Sequence, residues 1–307
     1  MPRFSIVIPC FNAENTIRQT LNSLCAQTFD GFEIICVDDG SSDKTRDIVL
    51  AAQDEDPRIS LACNVGKGPS DARNFGAFTL AKVDIIAFCD ADDLWAPSKL
   101  NYLEAAFKFT HTDAAYSKTA FFQDCPDYAT TVSDVPRGDL TVRHLLGENP
   151  VCTMSNVAVR KQVFEATGGF DPNIVQNEDL EWLIRLVAQG ARVVSIEETL
   201  TYYRRSLGGL STDLPAMLRG REAALRTAAR FGFGPDKQDE AIFMRYLARR
   251  ALRIGLSRIE AARFALRGVF NSPIGFFSTP RRGVLTLCGA LAAIILPRRL
   301  SLKLFAH

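Results

Sequence analysis

Phe88-Cys89-Asp90-Ala91-Asp92-Asp93-Leu94-Trp95 closes a strand-like run, Val83 to Cys89, with three acids in four positions. Carboxylates crowded at a strand end repel one another unless they share a cation. The Asp90-x-Asp92 pair offers hard oxygen ligands, which suit Mg²⁺ or Mn²⁺ in an open octahedral site completed by diphosphate oxygens. Taken alone, the same three acids also fit a solvated turn or a helix N-cap, and Asp93 fits a cap for the helix that Pro97 helps begin.

The surroundings of this stretch set the fold class. Short apolar runs alternate with helical patterns: Phe4 to Pro9 then Thr16 to Gln27, Glu33 to Val37 then Lys44 to Gln53, Ile59 to Cys63 then Pro69 to Leu80, and Val83 to Cys89 then Pro97 to Phe109. That alternation predicts βαβ units and an α/β, Rossmann-like, mostly parallel sheet flanked by helices. Ligands of such sheets bind beyond the carboxyl ends of the strands. Asp38-Asp39 and Asp90-x-Asp92 both fall at strand ends, so the fold is expected to bring them to one crevice. Ala114 to Phe122, Ser155 to Arg160 and Val193 to Ile196 read as further strands, Glu178 to Gln189 as a helix, and Asp124 to Asp139 as a loop.

The 307 residues, 47% hydrophobic, suffice for one α/β core and an appendage. A formal net charge of +1 conceals two unlike halves. Phe243 to His307 carries eleven Arg and one Lys against Glu260 alone, leaving 24 basic and 34 acidic side chains before it. A catalytic domain over 1–212 and a basic helical C-terminal extension over 213–307 are expected. Eight scattered cysteines, none in a Cys-x-x-Cys pair, read as reduced thiols rather than a disulfide framework or zinc site. The first strand begins by Phe4, which leaves no room for a secretory signal, so a cytoplasmic protein is expected.

The blocks around these strands occur in a recognisable order. Pro9-Cys10-Phe11-Asn12 ends the first run and Asp38-Asp39-Gly40-Ser41-Ser42-Asp43 the second; Asn64-Val65-Gly66-Lys67-Gly68, Asp71-Ala72-Arg73-Asn74, Asp90-Ala91-Asp92, Gly168-Gly169-Phe170-Asp171 and Asn177-Glu178-Asp179 follow. Jointly, over Phe4 to Tyr203, they resemble the inverting, nucleotide-diphosphosugar-dependent glycosyltransferases of the GT-A fold, family 2. The resemblance implies a base-binding role for Asp39 with Pro9 and Phe11 beside it, and a place near the donor and metal acids for Arg73. It also implies Asp179 of the Glu178-Asp179 pair as the general base. Asp92 is the expected direct ligand of Mn²⁺ or Mg²⁺, with Asp90 touching the cation or the donor ribose. On the residues alone, Asp38, Asp39 and Ser42 could equally cap the following helix, Arg73 could be an ordinary surface arginine, and the acids at 178 and 179 could simply favour a helix dipole.

Gly168 and Gly169 read as backbone freedom beside the acceptor. Tyr202-Tyr203-Arg204-Arg205 with Gly208-Gly209 reads as a mobile loop in which Arg204 or Arg205 closes on the diphosphate. His111, His144 and His307 belong to no constellation. From Ala241 to Phe270 one basic amphipathic helix is expected, with Arg245, Arg249 and Arg253 along a single face, suited to the anionic cytoplasmic face of a membrane. Val284 to Leu296, bracketed by Arg281-Arg282 and Arg298-Arg299, would reach about 20 Å as a helix, against the ~30 Å needed to span. The expected partners are a nucleotide-sugar donor, a glycan or lipid-linked acceptor and a membrane surface, with no nucleic acid. Two rivals stand beside a UDP-sugar-dependent glycosyltransferase: a nucleotidyltransferase acting on sugar phosphates, and a nucleotide-sugar-binding protein without turnover.

Overall fold

The computed structural model describes residues 3–109, 111–129, 131–205, 213–254 and 258–296. Gly208-Gly209, Arg298-Arg299 and His307 lie outside the described residues. In chain order the strands are β1 Phe4–Cys10, β2 Phe32–Asp38, β3 Ile59–Cys63, β4 Ile85–Phe88, β5 Leu94–Trp95, β6 Ala114–Phe122, β7 Thr131–Val132, β8 Val157–Arg160 and β9 Val193–Arg204. The first helices are α1 Ile17–Cys25, α2 Thr45–Glu55, α3 Pro69–Phe75 and α4 Lys99–Phe107, followed by α5 Val142–Gly147, α6 Lys161–Thr167, α7 Glu178–Ala188 and α8 Leu214–Arg230. The chain goes on through α9 Lys237–Arg253, α10 Arg258–Asn271, α11 Pro273–Phe276 and α12 Pro280–Ile295.

The strands form one sheet in the order β3-β2-β1-β4-β8-β6-β9-β5, with β7 paired to β6. The first four strands are mutually parallel. Beyond them β8 inserts antiparallel between β4 and β6, while β9 runs parallel to β6. This is the α/β sheet flanked by helices that the alternating pattern predicts and that the resemblance to the GT-A fold implies, with the parallel half carrying the acid-bearing strand ends. Phe4, Ile6, Ile8, Ile34, Cys36, Ile85 and Ala87 are fully buried, as unbroken apolar runs between two helical layers require. α3 continues without a break into a wider π turn, Gly76–Leu80, where a Cβ on Gly76 would collide with Val7 Cγ1. Only glycine lets this helix lie so close to β1.

The chain divides into two compact units. The first comprises 1–140, 150–206 and 214–227 and holds the whole sheet. The second comprises 141–149, 207–213 and 228–307. In it α5 is joined to α9 by Arg143, which donates to Asp236 at 2.5 Å and to Asp239 at 3.1 Å. The core of this unit is built from small residues, Ala241, Ala248, Ala251, Ala261, Ala265, Ala290 and Ala293, around the fully buried Phe276.

Three expectations are corrected here. The single helix over 241–270 is two, since α9 is capped at Ile254 and α10 starts at Arg258. Its arginines do not share a solvent face: Arg245 is 3% exposed and donates to Phe276 O at 3.0 Å, Ser278 Oγ at 3.1 Å and Glu148 at 3.4 Å. Tyr202 to Arg204 are not loop, because they extend β9 and pair with Ala120 to Phe122 of β6.

Candidate active site

The ends of β1 and β2 are sewn together by side chains reaching across to backbone. Asn12 Oδ1 accepts from Ser42 N at 2.9 Å, Thr45 Oγ1 accepts from Ala13 N at 2.7 Å, and Asp43 Oδ2 accepts from Glu14 N at 3.0 Å. Asn12 stands at φ 47, a left-handed conformation that asparagine tolerates better than most residues. Phe11, one residue past β1, is 60% exposed above this seam. Asp38 and Asp39 have different tasks. Asp38 is buried, folds back on Gly40 N and Ser41 N, and pairs with Arg46 at 3.1 Å. Asp39 is half-buried and accepts from Asn64 Nδ2 at 2.6 Å and Gly68 N at 2.8 Å. Neither caps α2, which begins behind Lys44.

Arg73 is the hub. It lies in α3, 5% exposed, and is therefore no surface arginine. Its Nη2 donates to Asp90 Oδ1 at 2.6 Å and its Nη1 to Glu178 Oε1 at 3.0 Å. Burial opposes its charge, yet the two carboxylates more than compensate and hold its pKa above the ordinary arginine value. One guanidinium thus joins the end of β4 to the first residue of α7, positions 88 apart in the chain.

An aromatic cluster explains why these ends meet. Phe88, the last residue of β4, packs on Phe164 and Phe170 at 5.4 and 5.3 Å, and Trp182 of α7 packs on the same two rings at 5.5 and 5.2 Å. Asn74 fastens Phe170 by donating to its carbonyl at 2.8 Å and accepting from its N–H at 2.9 Å. Gly168 and Gly169 sit at φ 77 and 69, the left-handed backbone the sequence suggested at this loop. α7 starts at Asn177, itself at φ 59, so Glu178 and Asp179 occupy the first helical turn.

Asp179 has its carboxyl pushed up to about 7, first by burial and then by the neighbouring Glu178 charge. Glu178 is also raised by burial, with Arg73 opposing the shift. Asp92 is raised to about 6, by burial and then by the charge of Asp90, with Arg204 working against both. Arg204 stacks on Phe122 at 4.6 Å and donates from Nε to Asp92 O at 2.9 Å and from Nη2 to Gln19 at 2.7 Å.

Asp93 does not cap α4. It is fully buried, accepts from Ser155 Oγ at 2.5 Å and from Arg204 N at 2.9 Å, and burial followed by the charges of Asp92 and Asp90 raises its pKa. Behind it lies a cation that the sequence reading passed over. Lys99 Nζ, 4.1 Å from the Trp95 ring centroid, donates to Ser155 O and Thr201 Oγ1 at 2.7 Å each. Burial lowers its pKa to about 7. Thr153 and Ser155 were missed too. The only hint was a polar Thr-x-Ser-Asn run set before an apolar strand, and nothing local links that run to residue 90.

Asp90 and Asp92 fit a divalent cation. They are two hard oxygen donors at one strand end, and the Asp92 carboxyl is raised first by burial and then by the charge of Asp90, the second of which a cation would relieve. Among the described residues no group of three or more His, Cys, Asp or Glu side chains is placed to hold a metal ion.

The sequence profile of glycosyl transferase family 2 matches residues 5–168, more than half of the chain. The chain belongs to that family. It is 27% identical over 215 residues to an Escherichia coli protein, the UDP-Glc:alpha-D-GlcNAc-diphosphoundecaprenol beta-1,3-glucosyltransferase WfaP, covering 69% of this chain and 81% of that protein. A glycosyltransferase of Nostoc sp. is 29% identical over 66% of this chain and 64% of its own length, so the chain spans just under two thirds of that relative. Among solved structures, the mannosyltransferase PcManGT from Pyrobaculum calidifontis, in complex with GDP-Man and Mn²⁺, superposes with a TM-score of 0.61 at 17% identity, covering 99% of this chain and 84% of that one. That likeness bears on the fold. The protein is a GT-A glycosyltransferase, and neither a nucleotidyltransferase nor a binding protein without turnover is favoured.

Proposed function

We propose that this enzyme transfers one sugar, with inversion, from a UDP-sugar to a hydroxyl of a lipid-linked or polysaccharide acceptor, with Asp179 as general base. The observation that carries the reading is the Arg73 bridge from Asp90 to Glu178, which puts the β4 acids and the α7 acids around one guanidinium. The Escherichia coli relative supports a UDP donor and a diphosphoundecaprenol-linked acceptor. Catalysis is assigned to the sheet-bearing unit, and contact with the cytoplasmic face of a membrane to the basic helical one.

On this reading the exposed Phe11 and the turn at Pro9 lie against the base, and Asp39 accepts from its imide N–H. Asn64 and Gly68 hold that carboxylate in place. Asp92, with Asp90, would hold Mn²⁺ or Mg²⁺, which as a Lewis acid neutralises charge on the departing nucleoside diphosphate. Arg73 and Arg204 flank the same diphosphate. Arg73 also orients Asp90 and Glu178 through its two hydrogen bonds. Asp179, with a carboxyl near 7, takes the acceptor proton as the hydroxyl attacks the anomeric carbon from the face opposite the leaving group.

The test is a screen of UDP-, GDP- and TDP-sugars for thermal stabilisation with Mn²⁺, followed by transfer from the best donor to a diphosphoundecaprenol-linked saccharide. A UDP-sugar should stabilise the protein only with the metal, and Asp92→Asn should abolish that dependence. Stabilisation that is the same without metal and in the variant refutes the cation site.

A further inference from the structure

The second compact unit is built inside out. On α12 the small residues Gly283, Thr286, Gly289, Ala290 and Ala293 face the protein, whereas Val284, Leu285, Cys288, Leu291, Ile294 and Ile295 face solvent, Ile295 at 86% exposure. Positions 284, 288, 291 and 295 recur at three- and four-residue steps and so make one continuous outward stripe. α10, which packs against α12, does the same: Ile259, Leu266 and Phe270 are exposed at seven- and four-residue steps, Phe270 at 85%. Ile274 in α11 adds another exposed aliphatic. A water-facing helix would carry its large apolar residues inward, so this surface is made for an apolar partner.

The charge around the stripes selects the partner. Arg263, Arg267 and Arg281 are exposed beside them, Arg263 paired with Glu260 at 2.7 Å, and from Phe243 to His307 Glu260 is the only acid against twelve cations, of which Arg245 is buried. A second copy of the chain would bring like charges together. A nucleic acid would answer the arginines but gain nothing from six or more exposed aliphatics. Among the described residues no helix is long and apolar enough to cross a membrane. We infer that the outward faces of α10 and α12 form a docking surface for an anionic lipid bilayer, with Val284, Leu291, Ile295 and Phe270 entering the acyl boundary and Arg263, Arg267 and Arg281 resting among anionic headgroups. This deepens the membrane contact of the proposed function and rests on it for its biological purpose, but not for its measurement.

The experiment is flotation of the full 307-residue chain with vesicles, without sugar nucleotide. Vesicles of phosphatidylglycerol and phosphatidylethanolamine should carry the protein, those of phosphatidylcholine alone far less, and added salt should weaken the binding. Leu291→Ser with Ile295→Ser should lower the vesicle partition coefficient at least about tenfold, and Arg263→Glu with Arg267→Glu should do the same on anionic vesicles only. All four positions are exposed and the Arg263 pair with Glu260 is a surface one, so melting temperatures should stay within a few degrees of the wild-type value. Failure of the chain to float, or variants that float equally well, overturns the inference. So does a soluble dimer that Leu291→Ser and Ile295→Ser dissociate. Transfer to a water-soluble acceptor is measured in parallel: its loss would count against the proposed function, whereas retained transfer without vesicle binding removes the docking surface alone.

Discussion

Replacing Arg73 by methionine tests the site at its hub. The change keeps most of the side-chain length and removes the charge that Asp90 and Glu178 share at 2.6 and 3.0 Å. Taking one partner from a fully buried pair costs roughly 3–5 kcal/mol, and from an exposed pair at most about 1. The arginine side chain is 6% exposed but its partners are 26% and 14% exposed, so a loss of about 2–3 kcal/mol is expected. For a unit of this size that is a fall of roughly 4–12 °C in melting temperature. The second effect is electrostatic. Arg73 lowers the pKa of Asp179, which lies at about 7, and its removal lets that value rise. A base works deprotonated, so the acidic limb of kcat should move above pH 7 in the variant, while Arg73→Lys should keep part of the charge and shift it less. A pH–rate profile with donor and metal saturating, together with a melting curve, decides the matter. A lower melting temperature with the limb unmoved would leave Arg73 a purely structural residue, and no change in either would refute the hub.

Asp179→Asn should lower kcat by about 10²–10⁴ while donor-induced thermal stabilisation persists; unchanged turnover would mean another base. Asp92 and Asp179 hold protons in the folded state, at about 6 and 7, that an unfolded chain has released by then. Stability should therefore fall as pH rises from about 4 to 7, on the order of 2 kcal/mol after allowing for solvent screening, and Mn²⁺ should recover it more at pH 8 than at pH 5. Urea midpoints that are flat across this range would contradict both shifts. Lys99, lowered to about 7 from 10.5, binds a proton less readily folded than unfolded, so its contribution to stability grows with pH between those values. Lys99→Met should reduce the slope of stability against pH between 7.5 and 9.5, and an unchanged slope would argue that the amine is solvated.

The strands were legible because doubly buried runs such as Phe4 to Cys10 and Phe32 to Asp38 are apolar almost throughout, and the acids could be assigned to one edge of the sheet because the ends of parallel strands share it. Boundaries shifted where tertiary pairing outweighed local pattern. β9 runs on through Tyr202 to Arg204 because β6 offers a partner, although those residues with nearby glycines read as loop. Asp93 read as a cap, and its true partner, Ser155, lies 62 residues away. The burial of Arg245 depends on the Phe276 carbonyl and Glu148, neither of which helical spacing can reveal. The uncharged run from Val284 to Leu296 announced a helix too short to span a membrane without saying which side would meet the protein.

Asn177, at the threshold of α7, donates from Nδ2 to Met217 O at 2.7 Å, and Thr227 Oγ1 donates to Glu181 at 2.9 Å. The helix that presents Asp179 is therefore braced from behind by α8, a segment beyond the last strand of the sheet. A shortened enzyme ending at residue 212 would keep every residue proposed above to touch donor or acceptor and still lose the buttress that aims the proposed base. The smallest version expected to turn over extends at least through Thr227.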